Sequence, residues 1–340
     1  MRTKLVVVSF LALCAGALVV MVGPAEPARP RPRPRHGVPT LHVQARIPLG
    51  EVGAGIVGAE GYVWTVSQFP RYQIIKIDPA SNQVVGRLDL DGGGAMDDVV
   101  WIAYDTGSLW VSRQQSGEVD RITLDPLAVA ARIKIDDPFD VAAGFGHVWV
   151  PQFDPYQWSL IDQGTNAVTK TQPATGPTAA VIDNGAVWLL EHRAQDIERI
   201  DPATNTVTRK IPVNTFGGVP ERLAAGFGSI WTADPKSGTV ARIDEATGKQ
   251  RVEIVLPGTP LYNPYPIATG GGSVWVGSDH GVGRISPRTN RLTGKLALTY
   301  DNRSCGPHGA NVCVLGLTYA SGSVWVNDVY HRQLLRIAPN

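Results

Sequence analysis

From residue 41 onward, apolar residues come in short alternating runs separated by Gly, Asn, Asp and Pro. One stretch is representative. Glu221 to Ala225, Ser229 to Ala233, Thr239 to Asp244 and Gln250 to Leu256 each alternate with the period of a half-buried strand. Gly226-Phe227-Gly228 and Ala246-Thr247-Gly248 supply the turns between them. This pattern predicts a unit of four short antiparallel strands.

The unit recurs. A Gly/Ser-x-Val-Trp-Val motif surrounds Trp64, Trp110, Trp149, Trp188, Trp231, Trp275 and Trp325, at spacings of 46, 39, 39, 43, 44 and 50 residues. After each Trp comes a segment like Arg199-Ile200-Asp201-Pro202, and most of these run into a turn such as Ala203-Thr204-Asn205. Seven four-stranded units of this length predict an all-β, seven-bladed β-propeller. Ring closure is also legible. The last copy stops at Asn340 after its third strand, and Val43 to Leu49 resembles the fourth strand Val207 to Val213. The N-terminal strand should therefore complete the last blade and remove two exposed edges.

The repeated Trp, set within an apolar strand, is read as a core residue packed between blades rather than a sugar-binding aromatic. The repeated Arg and Asp are expected to hold turns. A residue present in nearly every blade cannot mark one unique site, so function should lie where the copies differ. Two columns sample the mouth of the central funnel. Ten residues before each Trp stand Ala54, Val100, Phe139, Thr178, Glu221, Tyr265 and Leu315. Three residues after it stand Ser67, Arg113, Gln152, Glu191, Asp234, Ser278 and Asp328.

From these columns, Arg113, Gln152, Glu191, Glu221, Arg222, Asp234, Tyr265 and Asp328 are the candidate ligand-binding residues. Glu191, Glu221 and Asp234 suit a hard divalent cation, Mg²⁺ or Ca²⁺, or acid–base work if crowding raises one carboxyl. Neutralisation by Arg222, Lys236 or water is the alternative. Gln68, Arg71, Tyr72, Asp154, Tyr156, Asp279, His280 and Tyr330 add a rim suited to a polar organic ligand. His192, beside Glu191, and His331, near Asp328, are the histidines singled out as candidate proton carriers.

Composition narrows the setting. Six basic groups and one acid lie in the first 36 residues, leaving 25 Lys and Arg against 29 Asp and Glu, formally about −4. That balance argues against a nucleic-acid surface. Arg2 and Lys4 precede an uncharged apolar run from Leu5 to Gly23, so residues 1–28 read as a signal peptide or an uncleaved N-terminal anchor. Residues 29–40, with Arg and Pro alternating from Arg29 to Arg35, read as an extended linker. Residues 41–340 are the propeller. An extracytoplasmic protein, secreted or anchored, is expected, touching membrane only through its N-terminal segment and acting as a monomer. Cys14 falls in the signal, so Cys305 and Cys313 are expected to form a disulfide that pins the loop from Thr299 to Val312 as a lid. A metal pair is the alternative.

With the columns laid out, residues 41–340 resemble the YVTN and virginiamycin B lyase (streptogramin lyase)-like propellers. The resemblance rests on Gly-x-Val-Trp-Val, on Arg-Ile-Asp-Pro-Ala-Thr-Asn, and on Pro138, Pro177, Pro220 and Pro264 at the inner-strand starts. It implies opening of a cyclic depsipeptide antibiotic by elimination across its ester, with Mg²⁺ held by glutamates. By position, the family's acid column falls on Glu191, with Asp234 and Asp328 as shorter substitutes. Its histidine column falls on Tyr265 and Leu315, so Tyr265, or His308 in Gly306-Pro307-His308-Gly309, would have to supply the base. The leading expectation is an exported propeller binding a small polar ligand or peptide at its funnel. The alternatives are a metal-assisted lyase or hydrolase and a non-enzymatic envelope scaffold.

Overall fold

The computed structural model describes residues 38–93, 98–213, 222–235, 237–256, 266–278, 281–298 and 313–339. Among these, 28 strands, β1 to β28 in chain order, make seven four-stranded antiparallel sheets. Blade five is typical, with β18 (Arg222–Gly226), β19 (Ser229–Asp234), β20 (Thr239–Asp244) and β21 (Gln250–Val255). Each differs from the expected strand by at most one residue.

The innermost strands are β2 (Val52–Ala59), β6 (Val100–Asp105), β10 (Ala142–Gly144), β14 (Pro177–Asp183), β18, β22 (Ile267–Gly270) and β26 (Val314–Ala320). Each touches the next, and β26 touches β2, so the ring is closed. The approach at that seam is close: a Cβ on Gly316 would lie 2.0 Å from the carbonyl oxygen of Ala54. The last blade is completed as expected. β1 (Val43–Pro48) pairs antiparallel with β28 (Gln333–Ile337), in the order β1-β28-β27-β26. Leu41, Ile47 and Leu49 are buried on that seam.

All seven repeated Trp side chains are buried, each at most 1% exposed. Each sampled ring lies against the following blade. Trp110 packs with Val141, Val148 and Ile161 of blade three, and Trp231 with Ile267, Val274 and Ile285 of blade six. Removing such large rings from water is what holds blade to blade.

The repeated Asp does hold its turn. Asp78, Asp162, Asp201 and Asp244 each accept a backbone N–H two or three residues on, at 2.7–2.9 Å. The Asn that ends the turn takes the left-handed conformation, with φ of 57° at Asn82 and 54° at Asn290. The repeated Arg does more than hold its own turn: it staples blades. Arg336 stacks 5.1 Å from the Trp325 ring, and its Nη1 donates to Pro79 O at 2.6 Å and Asn82 Oδ1 at 3.0 Å, on blade one. Arg121 and Arg242 reach the next blade in the same way.

Candidate functional site

An up-and-down blade puts its 1–2 and 3–4 turns on one face of the ring and its 2–3 loops on the other. The Asp-Pro-Ala-Thr-Asn turns thus define a turn face, and the residues three after each Trp belong to the opposite, channel face. Apart from the partly buried Ser278 these residues are buried, and each is engaged by hydrogen bonds. Ser67 Oγ donates to Arg71 O at 2.7 Å and accepts from Gln73 N at 2.9 Å. Arg113 Nε donates to Asp120 Oδ2 at 2.9 Å, and its Nη2 also meets Glu118. Gln152 Nε2 donates to Asp136 O at 2.7 Å. Asp234 accepts from Ser237 Oγ at 2.6 Å. Asp328 accepts from Gln333 Nε2 at 2.7 Å and lies 2.8 Å from His331 Nδ1. Ser67, Arg113, Asp234 and Asp328 tie the loop that follows them, and Gln152 ties the segment that leads into its blade.

Glu191 is the least settled member of the column. It is fully buried, and Oε2 accepts from Thr175 N at 2.7 Å and Thr175 Oγ1 at 2.9 Å. Its Oε1 is buried with no hydrogen-bond partner among the described residues. Burial, reinforced by Glu198 and Asp196, overcomes the Thr175 bonds and pushes its carboxyl up to about 7. Beside it, burial and then Arg193 hold His192 below the usual histidine range, and its Nδ1 has no partner.

A second group gathers at the channel itself. A cavity of about 170 Å³ is lined by apolar residues of every blade, among them Ile56, Ile102, Val141, Ala179, Leu223, Ile267 and Leu317. Arg222 crosses this opening from blade five. Its guanidinium carbon sits 4.1 Å from the ring centre of Trp101 in blade two and 5.6 Å from that of Phe139 in blade three. Such stacking is worth most where water is excluded. Phe139 continues into Phe153 at 5.5 Å, and Phe153 meets Tyr156 at 5.6 Å and His192 at 6.4 Å. Arg193 closes the row, 4.1 Å from the Tyr156 ring centre. The result is a continuous wall of aromatic faces and two cations along blades two to five.

Asp140 is the acid within the channel. Its carboxylate accepts from Val141 N at 2.8 Å and from Ala180 N, on the next blade, at 3.1 Å. Burial pushes this carboxyl up to about 6 against the pull of Arg222 and the two backbone donors.

The structure thus brings His192 and Arg222 to one wall, with Glu191 adjoining in sequence. It leaves Arg113, Gln152 and Asp234 at strand ends of separate blades, and it brings Asp328 and His331 together within the last blade. Glu221, Tyr265, His308 and Cys305 lie outside the described residues, while Cys313 is buried. Among the described residues no three His, Cys, Asp or Glu side chains are grouped to hold a metal ion. Asp234 and one oxygen of Glu191 accept hydrogen bonds from Ser237 and Thr175, and Glu221, the third acid of the expected cation set, lies outside the described residues. Sequence reasoning missed Trp101, Asp140, Phe153 and Arg193. Trp101 carried a usable signal: it is a Trp outside the repeat, on an inner strand.

No protein-family model and no curated protein sequence matches the chain. Solved structures do. A streptogramin B lyase structure superposes with a TM-score of 0.73 at 17% identity, over 88% of this chain and 98% of that one. Virginiamycin B lyase from Staphylococcus aureus gives 0.72 at 14% identity, over 88% of this chain and 100% of that one. A catalytically inactive histidine-to-alanine variant of that enzyme with quinupristin gives 0.72 at 14% identity over the same shares. At such identities the likeness is one of fold: this chain is a seven-bladed β-propeller built as the streptogramin B lyases are built.

Proposed function

We propose that this is an exported propeller that binds a small polar ligand or a peptide over the mouth of its central channel. The observation that carries the reading is Arg222, which spans from blade five to the Trp101 ring of blade two with Phe139 alongside. Aromatic faces and guanidinium groups on one rigid wall suit a ligand with amide groups and rings. A cyclic depsipeptide has both, and quinupristin accompanies the similar ring of the virginiamycin B lyase variant. In this reading the ring works as a monomer outside the cytoplasm, released or tethered by residues 1–40, with Cys305 bonded to Cys313.

The test is calorimetric titration of the full chain with quinupristin. Trp101→Ala should weaken binding by about tenfold or more while the fold is kept. Equal affinity of the variant and the parent chain would sink the channel-mouth reading.

A second reading, a lyase, is favoured by Glu191. A carboxyl that titrates near neutrality is poised to exchange protons, and His192 is its neighbour in sequence. Elimination needs a base to take the proton beside a carbonyl while the ester carboxylate leaves from the adjacent carbon. Opening of quinupristin, followed chromatographically with EDTA and with added Mg²⁺, separates the readings. Turnover that Glu191→Gln abolishes makes the protein an enzyme, and intact quinupristin at saturating protein leaves the binding module.

A further inference from the structure

On the turn face, the repeated arginine is almost saturated with acceptors where the junction is regular. Arg242 donates from Nε to Ser229 Oγ at 2.9 Å, and from Nη1 to Pro287 O at 2.5 Å and Asn290 Oδ1 at 2.8 Å. Arg336 repeats this pattern with Ser323, Pro79 and Asn82. Arg199 of blade four has lost both kinds of partner. Ala186 stands where the serine should be, and Gly248 stands where the next blade should offer its asparagine. Among the described residues the one hydrogen bond of the Arg199 guanidinium runs from Nη1 to Thr208 Oγ1, at 3.1 Å in its own blade.

The missing staple leaves space. A cavity of about 480 Å³ opens between blades four and five, lined by Trp188, Arg199, Thr208, Arg209, Asn184 and Glu245, among others. Arg209 takes over the turn carbonyls, with Nη1 donating to Ala246 O at 3.0 Å and Glu245 O at 3.5 Å. Its Nε and Nη2 make no hydrogen bond among the described residues. Glu245 is the one acid in the lining, and its Oε2 accepts from Asn184 Nδ2 at 2.5 Å. Burial, then the nearby Asp183 carboxylate, raises Glu245 against that bond. With Arg199 and Arg209 against Glu245 the lining is net cationic, and the donors of the Arg199 guanidinium are mostly unused among the described residues.

We propose that this cleft is a second ligand site, on the face opposite the channel mouth, which takes the carboxylate of a small organic acid or of a peptide C-terminus on the Arg199 fork. A guanidinium matches a carboxylate with two parallel hydrogen bonds. Glu245 at the wall disfavours a dianion, so a monoanionic carboxylate fits better than phosphate.

The test is calorimetric titration of the full chain with lactate, N-acetylalanylalanine, the C-terminal amide of that dipeptide, and inorganic phosphate. A carboxylate probe should bind, and the amide should bind about tenfold more weakly than its acid. Preference for lactate or for the dipeptide tells a free acid from a peptide C-terminus. Arg199→Gln should lower the affinity by about tenfold. Gly248→Asn should do the same by restoring the staple. Gly248 has φ +67°, which Asn accepts, and an added Cβ would lie 3.2 Å from Ile211 Cγ1 and 3.3 Å from Arg209 Cδ, so a small shift admits it. Its thermal transition should not fall. Should Gly248→Asn not fold, Arg209→Gln, on an exposed side chain, carries the same loss. Equal binding of acid and amide, no binding of either carboxylate, tighter binding of phosphate, or unchanged affinity in folded variants would overturn the proposal.

Discussion

The two faces of the ring are built by the same repeats and obey opposite rules. On the turn face, Asp holds the turn, Asn takes the left-handed position, and Arg ties one blade to the next, as at Arg242 with Asn290. On the channel face, equivalent positions carry different residues: Ser67 and Asp234 close the loop that follows them, while Gln152 and Glu191 hold the segment that enters their blade. Repetition there belongs to the backbone alone. Chemistry is thus free to vary on the channel face, and on the turn face it varies where the staple is missing, as beside Arg199.

The comparison breaks most completely at the seam. A chain lacking residues 41–49 loses β1 and the buried Leu41, Ile47 and Leu49. At roughly 1.5–3 kcal/mol for each buried side chain, the loss approaches the whole stability of an ordinary domain, about 5–15 kcal/mol. Such a chain should show no cooperative urea transition. A normal transition would mean that the ring does not depend on its closing strand.

The channel face should respond to pH. The Glu191 carboxyl is raised from 4.5 to about 7, so between those values the folded state holds the proton longer than the unfolded chain does. Stability therefore falls as pH rises through that window, by up to about 3 kcal/mol, and the loss is complete above it. Asp140, raised to about 6, adds a loss of the same sign at lower pH. Urea unfolding at pH 5 and pH 8 should show the fall, and Glu191→Gln should remove most of it between pH 5 and 7. A parent chain equally stable at both values contradicts this account.

The smallest effect belongs to a single staple. Asn290→Ala removes the acceptor of Arg242 Nη1 and places Ala at φ 54°, for a loss of about 1–2 kcal/mol. Thermal unfolding should register a lower transition of a few degrees. No change would show that the arginine fork is not what ties blade five to blade six.

Some of this was legible before the fold was known. Strand limits in blade five, the burial of seven Trp side chains, the Asp-held turns and the pairing of residues 43–48 with the last blade all follow from local alternation and its repetition. Arg222, His192 and Tyr156 were picked out as rim residues, but Trp101, Phe153 and Arg193 were not. Trp101, Phe139 and Arg222 come from three blades and meet only because the ring closes. Likewise, Arg199 looks like any other copy of its motif until Ala186 and Gly248 are seen to stand opposite it. The sequence by itself determined the number of blades, the closure and the core, because each is written in contacts within a repeat or between identical neighbours. The tertiary structure alone decided which side chains close loops, which converge on the channel and which face an open cleft. Those outcomes depend on distances between residues far apart in the chain, which no local period encodes.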